Sequence, residues 1–183
     1  MQEGAQARTD EAMSTALRRT VEVLGGVSLL TLSARVSIPL GTVPFTLQSW
    51  AVLLLGALLG PRAGALSVVL YLALAALGAP VLAQGAHGLA PFRGATAGYL
   101  FAFPLLAALA GRAAPALRGP WRAALPTALA LHALLLALGA TWLGLRVGAP
   151  RAWTRGVVPL LPGAALKSVL LVLTLRRLPR RAW

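Results

Sequence analysis

Apolar residues in this chain gather in long blocks rather than in the stripes of a helix with one wet face. The blocks fall at roughly 20–38, 46–60, 63–83, 96–113, 123–145 and 157–176, close to the ~20 residues that carry a helix across a hydrocarbon core. The second is short and the fifth has room to tilt. The pattern predicts an all-α integral membrane protein with six transmembrane helices. Gly60-Pro61-Arg62-Ala63-Gly64 reads as a tight connection between the second and third helices, Pro115 to Pro120 as the fourth connection and Gly148-Ala149-Pro150 as the fifth. The blocks make one domain, 20–178, with a polar segment at 1–19 before it and a basic tail at 179–183 after it.

Composition supports this picture. Of 183 residues, 58% are hydrophobic and 11% charged, against about 25% charged in a soluble domain. The formal net charge of +13 does not indicate nucleic acid, because the arginines are scattered over short segments between apolar blocks and form no basic face. The absence of cysteine excludes disulfides and thiolate chemistry. The opening segment carries Glu3, Arg8, Asp10, Glu11, Arg18 and Arg19. It does not read as a signal peptide, so the first block is expected to stay in the protein.

An even number of spans puts both termini on one side. With that side cytoplasmic, the inner segments hold Arg8, Arg18, Arg19, Arg62, Arg112, Arg118, Arg122, Arg176, Arg177, Arg180 and Arg181, and the outer segments hold Arg35, Arg93, Arg146, Arg151 and Arg155. The bias predicts cytoplasmic termini in a cell membrane.

One residue breaks the apolar pattern with chemical consequence. Lys167, the chain's single lysine, lies inside the last block, and every acidic residue is at or before Glu22. A lysine at membrane depth costs about 2.5–3.5 kcal/mol on insertion scales and usually pairs with something. In the predicted orientation the last helix starts near Pro162-Gly163 at the outer face. Lys167 then follows Gly163 by about 6 Å of rise and leans towards the outer mouth. Two readings stand: a site for a ligand carboxylate, helped by the free N–H groups of the helix start, or a side chain that snorkels to external water and binds nothing.

Two outer connections carry the remaining candidates. Ser37 to Gln48 contains Pro39, Gly41 and Pro44, which prevent a simple continuation of helix, and Ile38, Leu40, Val43 and Phe45, which are apolar for a solvated loop. Such a loop either dips into lipid or closes over a ligand. Thr46 is placed to cap the second helix, with Gln48 and Ser49 in its first turn. In Gln84 to Tyr99 the glycines permit close backbone approach to a ligand or an ordinary tight loop.

These residues also carry a resemblance. Ile38-Pro39-Leu40-x-x-Val43-Pro44-Phe45-Thr46-Leu47-Gln48 followed by Leu58-Leu59-Gly60-Pro61-Arg62-x-Gly64-Ala65-Leu66-Ser67 is similar to the BioY family, the biotin-binding S components of energy-coupling factor (ECF) transporters. Gly94-x-Thr96-x-Gly98-Tyr99-Leu100 and Leu161-Pro162-Gly163-x-x-Leu166-Lys167 continue the match. The resemblance implies an ECF S-component-like bundle of six helices that binds biotin near the external face. It implies Ile38, Pro39, Leu40, Gly41, Thr42, Val43, Pro44 and Phe45 as a lid, and Lys167 as a ligand contact. Arg93, Gln48, Thr46, Thr96, Tyr99, Gly94 and Gly98 are the further candidates for the site. The implied partners are biotin, membrane lipid, an ECF transmembrane coupling subunit and two ATPase subunits, with no nucleic acid and no cofactor. Where the family carries an acid three residues before the lysine, this chain has Ala164. A different small anionic, vitamin-like substrate is therefore an alternative, and a non-transporting membrane scaffold is another.

Other chemistry finds little support. Gly163-Ala164-Ala165-Leu166-Lys167-Ser168 lacks the second glycine of a phosphate-binding loop. His87 and His132, without cysteine or nearby carboxylates, make a poor metal site. His132 lies mid-span and reads as a packed or hydrogen-bonded residue, and no serine sits in a recognisable protease motif. The chain is not expected to be an enzyme.

Overall fold

The computed structural model describes residues 2–38 and 42–179, with side chains from Met13 onward. Pro39, Leu40 and Gly41 of the expected lid, and Arg180 and Arg181 of the basic tail, lie outside the described residues.

The first helix, α1 (Gln2–Arg35), begins far ahead of its apolar block. The polar segment is thus helical and continuous with the helix of the first apolar block. The chain then makes two short antiparallel strands, β1 (Ser37–Ile38) and β2 (Phe45–Thr46), paired Ser37 to Thr46 and Ile38 to Phe45. Next comes α2 (Gln48–Ala76), which is folded double at Gly60. Gly60 has φ 83° and ψ 173°, a region that essentially only glycine occupies. The arms at 48–59 and 61–76 lie side by side: a Cβ placed on Gly64 would stand 2.7 Å from the Gly56 Cα, although eight residues of straight helix separate Cα atoms by about 12 Å. The tight connection expected from the Gly-Pro step is present. Its two arms, about 18 and 24 Å long at 1.5 Å per residue, are shorter than the spans expected there. The second arm stops at Ala76, not near residue 83, because Gly78 takes φ 105° and Pro80 follows.

After a loop come α3 (Ala90–Arg93), α4 (Ala97–Arg112), α5 (Ala114–Leu117), α6 (Trp121–Val147), α7 (Ala149–Ala152) and α8 (Leu161–Arg177). The fifth connection begins at Gly148-Ala149-Pro150 as expected, and the stretch between α7 and α8 stays wound. It winds on as a π turn, Trp153–Val157, and a 3₁₀ turn, Val158–Leu160. By length and apolarity, Trp121–Val147 and Ala149–Arg177 qualify as membrane spans among the described residues, with Ala97–Arg112 a shorter apolar helix, whereas Gln48–Ala76 is apolar but divided into its two arms.

Small residues let the backbones approach closely, as in membrane bundles generally. Gly56 lies against the Ala107 carbonyl and Gly111 against Pro61, joining α2 to α4. Leu30, Val52, Leu53, Val68, Leu106, Leu143 and Leu171 fill the interior. Leu66, Phe101, Leu129, Leu166 and Leu173 instead point outwards with 39–66% of their surface exposed. An apolar exterior on helices that satisfy their own backbone bonds is what lipid requires.

Candidate functional site: a cavity at one end of the bundle

At the end where α1 finishes and α2, α4 and α8 begin, a cavity of about 260 Å³ opens, near the lower end of the range for small-molecule sites. Its walls come from five places in the sequence. Val43, Pro44, Phe45 and Thr46 arrive on the β-hairpin, and Gln48 and Ser49 on the first turn of α2. The loop after α2 supplies Leu82, Ala83, Gln84 and Ala86, and α4 with its approach supplies Pro91, Thr96, Tyr99, Leu100 and Phe103. His132, Leu135 and Leu136 of α6, Leu160, and Ala164 and Lys167 of α8 close the remaining side. Most of this lining is apolar.

Lys167 does not snorkel. Its side chain is buried, 8% exposed, and faces the cavity. Nζ donates to the Thr46 carbonyl at 3.1 Å and stands 4.8 Å from the centre of the Phe45 ring. An ammonium has three donors. Its partners among the described residues are thus a neutral carbonyl and a ring face, and no acid follows Glu22 to neutralise it. Glu22 itself is paired with Arg18 at 3.2 Å on α1.

The lysine is the end of a longer chain of bonds. The Thr46 hydroxyl donates to Gln48 Oε1 at 3.0 Å and accepts the Gln48 backbone N–H at 3.3 Å. Gln48 Nε2 donates to the Tyr71 hydroxyl at 2.7 Å, which donates to the Val81 carbonyl at 2.9 Å. The hairpin, both arms of α2, the loop after it and α8 are thereby tied into one polar strand beside the cavity. Thr46 was expected to cap α2. The cap position is held by Leu47 without a side-chain bond, and Thr46 reaches the Gln48 N–H from one residue further out. Tyr71, wholly buried, is the middle link, and a buried donor or acceptor left without its partner costs about 1–3 kcal/mol. Tyr71→Phe is therefore expected to lower the apparent melting temperature in detergent by several degrees. An unchanged melting temperature would mean that the network does not hold the fold.

The other expected site residues separate into two groups. Thr96 and Tyr99 line the cavity, though the Tyr99 hydroxyl is spent on the Gly156 carbonyl at 2.7 Å, fixing α4 to the π turn. Arg93, Gly94 and Gly98 do not line it. Arg93 ends α3 with its side chain exposed. Gly94 gives its carbonyl to Trp142 Nε1 at 2.9 Å. Gly98 makes room for the Trp142 side chain rather than for a ligand. These glycines pack α4 against α6.

Of the expected lid, Val43, Pro44 and Phe45 line the cavity, whereas Thr42 does not and Ile38 is 52% exposed. Phe45 lies directly on Gly163, where any Cβ would overlap its ring.

His132, expected only as a packed or hydrogen-bonded residue, is both and also lines the cavity. It is 2% exposed, and its Nδ1 stands 2.9 Å from Ser168 Oγ and 3.1 Å from the Ala128 carbonyl. A histidine inside an apolar span was itself the signal. The serine it meets is fully buried and gives its own proton to the Ala164 carbonyl at 2.8 Å. That geometry withdraws the hydroxyl from nucleophilic use. Gln84, with φ 57°, lies on the cavity rim; a non-glycine residue in this region is uncommon, and no sequence signal marked it. Among the described residues no group of three potential metal ligands gathers anywhere.

Fold and cavity define the class: a helical integral membrane protein with a small-molecule-sized, cation-bearing cavity at one end of its bundle. The chain belongs to the BioY family, whose pattern matches residues 6–182. It is 36% identical over 152 residues to the probable biotin transporter BioY of Pyrococcus horikoshii, covering 83% of this chain and 90% of that protein. It is 33% identical over 152 residues to a biotin transporter BioY of Lactococcus lactis subsp. cremoris, covering 79% and 80%. Its structure is similar to the crystal structure of the S-component for biotin from an ECF-type ABC transporter, with a TM-score of 0.79, 28% identity and coverage of 90% and 92%.

Proposed function

We propose that this chain is the biotin-binding membrane subunit of an ECF-type vitamin transporter and captures biotin at the external face. The observation that carries the reading is the single cation, Lys167, buried in a mainly apolar cavity that holds no carboxylate. Biotin has an apolar valeryl chain, a thioether ring, a polar ureido head and one carboxylate, which suits such a site. The relatives named as biotin transporters and the S-component structure support the same choice.

The arginines support the external placement. At the end of the bundle away from the cavity, Arg118 Nη1 contacts the Leu175, Leu178 and Pro179 carbonyls at 3.3–3.4 Å, where a cation complements a helix C-terminus. Arg176 donates to the Gly119 carbonyl at 3.3 Å and lies over the Trp121 ring. A basic end faces the cytoplasm by the positive-inside rule, which turns the cavity outwards and puts both termini inside. Energy for uptake then comes from a transmembrane coupling subunit and two ATPases, and the chain itself performs no catalysis.

Purified protein is expected to bind radiolabelled biotin with saturation, and biotin carried through purification to be identifiable by mass spectrometry. Complete absence of binding sinks the reading. Ala164 favours one second reading, a different small vitamin-like acid, and stronger competition by another member of a vitamin panel would select it.

A further inference from the structure

We infer that His132 Nε2 is the acceptor for an N–H donor of the bound ligand, and so a specificity-determining residue of the cavity. The inference rests on the biotin reading, in which the donor is a ureido N–H.

The polarity of the ring follows from its neighbours. Ser168 Oγ has one proton and lies 2.8 Å from the Ala164 carbonyl, which can only accept. The hydroxyl therefore donates there and accepts from His132. The Ala128 carbonyl at 3.1 Å from Nδ1 can likewise only accept. Both contacts are satisfied when the proton sits on Nδ1 and is shared between them. In the neutral ring, Nε2 is then a lone-pair acceptor. It is buried, with no hydrogen-bond partner, on a side chain that lines the cavity.

Elsewhere in the cavity the buried acceptors are mostly engaged, and the side chains of Gln84 and Thr96 stand on its exposed and half-buried walls. The Thr46 carbonyl accepts from Lys167, Gln48 Oε1 from the Thr46 hydroxyl, and the Tyr99 hydroxyl is turned to Gly156. Ser49 Oγ is the other cavity-lining side-chain atom buried without a partner, but a hydroxyl rotates to donate or accept and selects neither. No acid stands in the lining, since position 164 is alanine. A ligand N–H that enters these walls needs an acceptor, and His132 Nε2 is one whose polarity the surrounding bonds fix. The lysine and the imidazole then read opposite features of one molecule, its anion and its donor.

The test compares biotin with derivatives methylated on either ureido nitrogen, using wild-type protein, His132→Leu and His132→Gln. His132→Leu is expected to weaken biotin binding about tenfold, the scale of leaving one buried donor unsatisfied. Wild-type protein should reject one methylated isomer by a similar factor, and His132→Leu should lose that preference. His132→Gln, which returns an acceptor, should regain part of it. Equal weakening of biotin and both derivatives in His132→Leu, with the preference intact, overturns the assignment.

A second measurement needs no variant of the residue itself. The chain has two histidines, so ¹⁵N-histidine labelling with a His87→Gln control assigns the His132 ring signals. Biotin should move the Nε2 signal of a ring protonated on Nδ1. An unmoved signal at saturating biotin overturns the inference and leaves the biotin reading standing. Failure of wild-type protein to bind biotin at all overturns both.

Discussion

Lys167→Met will weaken biotin binding by about one to two orders of magnitude, the value of a charge-assisted hydrogen bond of about 1.5–3 kcal/mol made in a screened cavity. The same substitution will leave the ligand-free protein as stable as before, or more so. The lysine is 8% exposed, with a neutral carbonyl and a phenyl ring as its partners among the described residues. Burying an ammonium on such terms costs desolvation that a methionine of similar length does not incur. Affinity and stability therefore move in opposite directions, which a purely structural lysine would not produce. Biotin methyl ester separates the charge from the shape. Wild-type protein should lose about the same factor on the ester, and Lys167→Met should bind acid and ester alike, because each change removes one partner of the same pair. Isothermal titration and thermal unfolding in detergent read both quantities. If Lys167→Met lowers acid and ester affinity equally while destabilising the ligand-free protein, then the lysine serves only to hold Thr46.

How much of this was legible beforehand depends on the kind of signal. Helices α4, α6 and α8 were readable because long, mostly apolar runs leave few alternatives in lipid. The fold-back at Gly60 was readable from its Gly-Pro step. Lys167 stood out because a cation without an acid in its surroundings is costly enough to need a reason. What the sequence could not supply was which side of each helix faces the cavity. Gly94 and Gly98 share a motif with Thr96 and Tyr99, yet only the latter two line it, because a turn and a helix start spread adjacent residues around the axis. Runs that are apolar all round carry no stripe to show the inward face. His132 and Tyr71 were missed as working parts for a related reason. Their partners, Ser168, Ala128, Gln48 and Val81, include residues distant in sequence, and pairing across helices leaves no local trace. The continuation of α1 back to Gln2 escaped notice because a polar helix has no apolar run to announce it.

The lid yields the other large effect. Gly163→Ala should weaken biotin binding about tenfold, chiefly through faster release. A Cβ at position 163 overlaps the Phe45 ring, standing 2.6 Å from Cδ2 and 2.9 Å from Cζ besides its clash with Cε2. Three atoms of a rigid ring cannot yield separately, so the whole side chain must swing, and overpacking of this kind costs about 1–3 kcal/mol. The swing also takes the ring from above Lys167 and loosens β2, whose Thr46 carbonyl the lysine holds. The hairpin has two paired residues on each strand, too few to keep it closed when that anchor shifts. The steric origin has its own signature. Phe45→Ala alone should weaken binding, since it uncovers the cavity, but in the Gly163→Ala background it should cost little or restore part of the loss. Dissociation of labelled biotin from the four proteins of this cycle measures the coupling. Strict additivity would mean that Gly163 acts through the α8 backbone and not through the lid. Strong coupling would fix the role of the glycine as the seat on which Phe45 closes.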